Sequence, residues 1–117
     1  MPIRRPLSLV ALATLLVTVT SPVFAQSFDC SKAHAADEQA VCRSASLSAL
    51  DDRMDDLYEA ILKCALMGTR AAVTESQRSF LTRRAACGAD EGCLTALYSA
   101  RVDDLAGIRR DVGQGAC

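Results

Sequence analysis

Six cysteines are the residues of this chain best equipped for chemistry: Cys30, Cys42, Cys64, Cys87, Cys93 and Cys117. A thiolate can act as nucleophile, metal ligand or redox partner, and the compartment largely decides which. No Cys-x-x-Cys pair occurs, and the single histidine, His34, stands alone. Neither metal-ligand spacing nor a nucleophile–base pair is therefore present. Upstream, Arg4 and Arg5 precede an apolar run from Leu7 to Val19, and Val23-Phe24-Ala25 forms a small-x-small cleavage pattern. That is the layout of an export signal; the run falls short of the about 20 residues that span a membrane. We expect residues 1–25 to be a signal peptide and residues 26–117 to be one domain, carried by the general secretory route to the periplasm or secreted. There an even set of cysteines becomes disulfides. No catalytic residue, cofactor or metal site is expected, and no membrane span after signal cleavage.

Charge supplies the next constellation. Without the signal, 11 basic face 14 acidic residues, a net of −3, which argues against a nucleic acid partner and favours a basic one. Asp52, Asp55, Asp56 and Glu59 recur at a spacing that puts four carboxylates on one helix face. They form either a docking face for a basic protein or a solvated face. Arg84 and Arg101 fall instead where helix seams call for apolar residues. Buried guanidinium groups need partners, and Asp51, Gln77 and Tyr98 are the candidates, forming a structural network that fixes helix register.

The elements that position these groups are helices. Leu47, Leu50, Met54, Leu57, Ile61 and Cys64 repeat at 3-4-3-4-3 spacing, a helical seam. Gly68 is placed to stop this helix and Thr69 to cap the next. Val73, Gln77, Phe80, Arg84 and Cys87 mark a third helix ended by Gly88; Asp90 caps a fourth, whose seam of Leu94, Tyr98, Arg101, Leu105 and Ile108 runs to about Arg110. Ala36 to Arg43 reads as a short extra N-terminal helix. Short connections make neighbours antiparallel, so the expected fold is all-α, a small disulfide-stapled up-down-up three-helix bundle. Cys87 and Cys93 then share one hairpin, Cys64 and Cys117 share the opposite end, and Cys30 and Cys42 bracket the short helix. The expected pairs are 30–42, 64–117 and 87–93. The turn closed by the last pair, including Ala89, Asp90 and Glu91, is a second candidate for partner binding, because little ordering entropy is left to lose there.

Phe28-Asp29-Cys30-Ser31-Lys32-Ala33, Glu38, Ala40, Val41, Cys42, Leu47, Leu50-Asp51 and Tyr58 resemble the first half of the LprI-type lysozyme inhibitor N-terminal domain. Gln77, Phe80, Leu81, Arg83, Cys87, Gly88, Asp90, Cys93-Leu94, Tyr98, Arg101 and Leu105 match its second half. Phe80 stands where the family usually has Trp, and Ala35 where it has a capping Thr. Cys64 and Cys117 are additional to the family's four cysteines. The resemblance implies a small helical exported domain that acts as a lysozyme inhibitor. On this basis the chain is expected to be a monomeric binding protein that occludes the cleft of a lysozyme-like muramidase. The alternative is a periplasmic protein-interaction module or accessory subunit. The two differ in oligomeric behaviour, because an obligate subunit exposes a large apolar patch.

Overall fold

The computed structural model describes residues 27–114. The expected signal, residues 1–25, and Cys117 lie outside the described residues. After a short 3-10 turn at Cys30–Lys32 come α1 (Ala36–Arg43), α2 (Ala45–Cys64), α3 (Met67–Cys87) and α4 (Glu91–Gly113). The described chain is an all-α bundle with a short helix added at its N-terminal side, as the apolar spacing requires.

Local chemistry sets most boundaries. Ser44 caps α2 by accepting from the Leu47 amide, and Asp90 caps α4 by accepting from the Cys93 amide. Ala35 starts α1 without a side-chain cap. Gly88 closes α3 with a φ of 55°, a left-handed conformation that costs glycine little.

The α2–α3 connection differs from the expectation. Gly68 and Thr69 are inside α3, not between helices, because extended backbone at Ala65 and Leu66 makes the turn. Nothing there needs a positive φ, so glycine's special freedom is not used. The Arg70 guanidinium donates to the Leu62 carbonyl, satisfying an acceptor that the end of α2 leaves open. Likewise α4 continues past Arg110 through Gly113.

Helix pairing follows the seams. Met54 meets Gln77, and Leu62 meets Arg70, so α2 and α3 run antiparallel. Arg84 meets Tyr98, and Gln77 meets Arg101, so α3 and α4 do too. The largest helix contact is between α2 and α4, while α2 touches α3 only sparingly. Val41, Leu47, Met54, Ile61, Val73, Phe80, Leu94, Tyr98 and Leu105 are shut off from solvent. Phe80 and Tyr98 meet edge to face with centroids 5.0 Å apart, an arrangement worth about 0.5–1.5 kcal/mol beyond area burial.

Cys30 is bonded to Cys42 and Cys87 to Cys93. Cys64 is also disulfide-bonded; its expected partner, Cys117, is outside the described residues. Closing loops as short as these stabilises by roughly 2–3 kcal/mol each on loop entropy, which matters to a core this small.

Candidate functional site

Two polar arrangements lie in and beside this core. The first is a chain of bonded groups through all four α-helices. On α1, Asp37 shares the buried stripe with Ala40 and Val41. Its carboxylate accepts from Arg84 Nε at 2.7 Å. Arg84 Nη1 donates to the Tyr98 hydroxyl at 3.4 Å, and that hydroxyl donates to Asp51 Oδ1 at 2.9 Å. Asp51 also accepts from the Ser27 amide at 2.6 Å and the Ser27 hydroxyl at 2.8 Å. Arg84 further lies 5.0 Å from the centre of the Phe28 ring, within cation–π range.

Tyr98 bonds to Arg84 and Gln77 to Arg101, but the carboxylates differ from the expected one. Asp51, buried completely, bonds to Tyr98 and Ser27 rather than to an arginine. Arg84 is held by Asp37, with Glu38 at 3.8 Å. Arg101 donates from Nε to Gln77 at 3.1 Å and from Nη1 to Asp104 at 2.8 Å, while its Nη2 is buried without a partner among the described residues. Asp37 carries its charge in the first turn of α1, where the helix dipole favours an anion. Both partners left a signal in the sequence: Asp37 precedes Ala40 and Val41 by three and four residues, and Asp104 follows Arg101 by three. Ser27 left none.

Electrostatics match the geometry. Burial raises the Tyr98 hydroxyl pKa, and the Asp51 charge raises it further against the pull of Arg84; the phenol stays protonated and donates. Burial alone would weaken the Arg84 guanidinium's hold on its proton, but Tyr98 and Asp37 outweigh it and shift the pKa up. For Arg101 burial prevails and lowers it, with Arg83 adding repulsion and Asp104 opposing. Asp37, Arg84, Tyr98 and Asp51 are bonded in series, while Arg101 bonds to Gln77 and Asp104 and keeps Nη2 unpartnered among the described residues.

The second arrangement opens to solvent. Because α3 leans on α4 and α1 more than on α2, a groove of about 480 Å³ remains between α2, α3 and the N-terminal segment. Phe28, Tyr58 and Leu81 give it apolar surface; Asp55, Glu38, Gln77 and Thr74 give it polar rims, and Arg78 and Arg84 give it positive charge on the α3 side. Asp55 is thus a groove residue and not only part of a solvent-facing row. Asp56 and Glu59 are exposed, and Asp52 is half-buried. Burial first, then repulsion from Glu59, Asp51, Asp56 and Asp52, raises the Asp55 carboxyl pKa; burial, then Asp51 and Asp56, does the same to Asp52. Asp52 Oδ1 is shielded from solvent without a donor among the described residues. The raised carboxyl pKa values come from burial and from neighbouring acids, even though Arg78 and Arg84 line the same groove as Asp55. Sequence spacing located the acids but could not show that one of them borders a groove.

The Cys87–Cys93 turn is exposed at Ala89, Asp90 and Glu91. The Asp90 carboxylate is already committed, accepting from the Cys93 amide at 2.9 Å, which leaves Glu91 as the available charge. Among the described residues, no group of three or more His, Cys, Asp or Glu side chains could hold a metal ion, and no helix is long and apolar enough to cross a membrane.

No protein-family model matches the chain, and no solved structure does. Over 91 residues it is 35% identical to the lipoprotein LprI of Mycobacterium bovis and of Mycobacterium tuberculosis. The chain is distantly similar to LprI. The match takes in 74% of this chain and 44% of LprI, so the chain spans less than half the length of the curated relatives it matches. The disulfides fit an extracellular or periplasmic setting.

Proposed function

We propose that this chain is an exported, monomeric binding protein that blocks a basic, lysozyme-like muramidase, and that the acidic ridge of α2 with the α2–α3 groove is its docking surface. The observation that carries this reading is Asp55 on the groove wall, beside Tyr58 and Phe28 and among four other acids that deprive it of favourable company. A lysine or arginine side chain entering the groove would lay its stem on the apolar surface and its charge against Asp55. Asp52, Asp56 and Glu59 would steer the encounter. Glu91 in the Cys87–Cys93 turn is a secondary contact. Inhibition then needs no chemistry from this chain, only a rigid body seated across a cleft whose working groups are paired carboxylates. The runner-up, a periplasmic interaction module or accessory subunit, uses the same surface with a different basic partner.

A titration of muramidase-driven cell-wall lysis tests it. The oxidised protein is expected to slow lysis in proportion to its molar ratio to enzyme, and less at higher salt. A cation in the groove would lower the raised Asp52 and Asp55 pKa values. Binding therefore releases protons and weakens as pH falls through the carboxylate range, toward the ordinary Asp value of about 4. Inhibition that is absent, or that strengthens on acidification, would count against a docking role for these carboxylates.

A further inference from the structure

Leu66 and Met67, consecutive at the α2–α3 turn, are 79% and 87% exposed. Leu66 occupies the N-cap position of α3 and supplies no capping bond, although Ser, Thr, Asp or Asn there would steady the helix and stay hydrated. The sequence forgoes local stability to hold two bare apolar side chains at a projecting tip.

Cations share that end of the bundle. Lys63 is in the last turn of α2, and Arg70 is held beside it by its bond to the Leu62 carbonyl. The C-terminal end of α4 lies alongside, since Ile108 and Gly68 line the same hollow; this brings Arg109 and Arg110 to the same end. Among the described residues, Lys63, Arg70, Arg109 and Arg110 pair with no carboxylate within 4 Å. Asp111 is the one acid in that last turn of α4, so a positive end stands out on a domain rich in acids.

Two chemistries could cover an apolar tip. A protein hot spot is built around aromatic or arginine anchors, and leucine is under-represented there. A bilayer interface takes apolar side chains at the boundary with the acyl chains, and anionic headgroups take the flanking cations. The tip is a protrusion, not a groove, and so fits the second. We propose that the α2–α3 turn is a membrane-contact tip that seats the domain on an anionic lipid surface, with Leu66 and Met67 entering the interface and Lys63, Arg70, Arg109 and Arg110 meeting headgroups. The contact does not use the α2–α3 groove, so it stands or falls separately from inhibition.

Sedimentation with lipid vesicles tests it, using the protein purified after export. Binding is expected to phosphatidylcholine vesicles that contain phosphatidylglycerol, and to be roughly tenfold or more weaker on phosphatidylcholine alone. L66S combined with M67S should lose binding by a similar factor while melting like wild type, because both side chains are already in water. K63E combined with R110E should remove the salt dependence. Equal binding by wild type and the L66S/M67S protein would overturn the proposal, as would failure of the wild type to bind the anionic vesicles. Concentration-dependent self-association that the L66S/M67S pair abolishes, without vesicle binding, would assign the tip to a second copy of the chain instead.

Discussion

Replacing Arg84 with alanine is expected to destabilise the fold by about 3–5 kcal/mol, enough to lower the midpoint of thermal unfolding by roughly 15–30 °C. Arg84 is only 6% exposed, and it bonds to Asp37, which is 3% exposed, and to Tyr98. Truncation would leave the Asp37 carboxylate buried without its cation, remove a donor to the Tyr98 hydroxyl and expose the Phe28 ring. Arg78→Ala is the contrast. Its pair with Glu75 has both side chains 74% exposed, and such pairs contribute little, within about 1 kcal/mol. Substituting both buried partners, Asp37→Leu with Arg84→Met, should recover much of the loss, since a buried ion pair is replaceable by packed apolar groups. Circular-dichroism melts of the three proteins measure this directly. An Arg84→Ala midpoint equal to that of Arg78→Ala would mean that Arg84 reaches solvent and Asp37 does not depend on it.

Reversing Asp52, Asp55, Asp56 and Glu59 to lysine is expected to slow association with a basic muramidase by about 10–1,000-fold at low salt. The fold should tolerate the change, because Asp56 and Glu59 are exposed and Asp52 and Asp55 are only half-buried. The reversed row still carries four like charges at the same spacing, so no gain in stability is expected from it. Stopped-flow association at two ionic strengths separates steering from contact, as steering fades with salt and contact does not. An association rate unchanged by the reversal would move the docking surface away from α2, with Glu91 and its turn next in line.

The sequence made the helices legible because they are built on one uninterrupted signal, apolar residues at three- and four-residue spacing. The α4 seam from Leu94 to Leu105 is the set of buried residues of that helix, and the α2 seam from Leu47 to Ile61 is buried too, except that Asp51 is shut in where Leu50 is only half-buried. Asp90 and Gly88 marked helix ends because each does something only its residue type does well. Gly68 misled for the converse reason. It sits in α3 with nothing within 4 Å of where a Cβ would be, so neither backbone freedom nor close approach explains it. The arginines were readable as buried, and Tyr98 and Gln77 do bond to them, but the carboxylate was not. Asp51 was expected, whereas Asp37 and Asp104 hold them, and helical spacing marked where those acids lie without resolving which arginine each would meet. The groove was not legible at all. It exists because α2 packs on α4 more than on α3, a tertiary preference with no local signature.

The docking surface is tested most directly by an amide-resolved NMR titration of the isotope-labelled, oxidised protein with unlabelled basic muramidase at low salt. Saturable one-to-one changes are expected at Asp55, Tyr58, Thr74 and Leu81 around the groove and along Asp52 to Glu59, with the Leu66–Met67 tip unaffected. Changes confined to Ala89, Asp90 and Glu91, or no change at any residue at saturating enzyme, would contradict the assignment of the acidic groove as the site where this protein meets its partner.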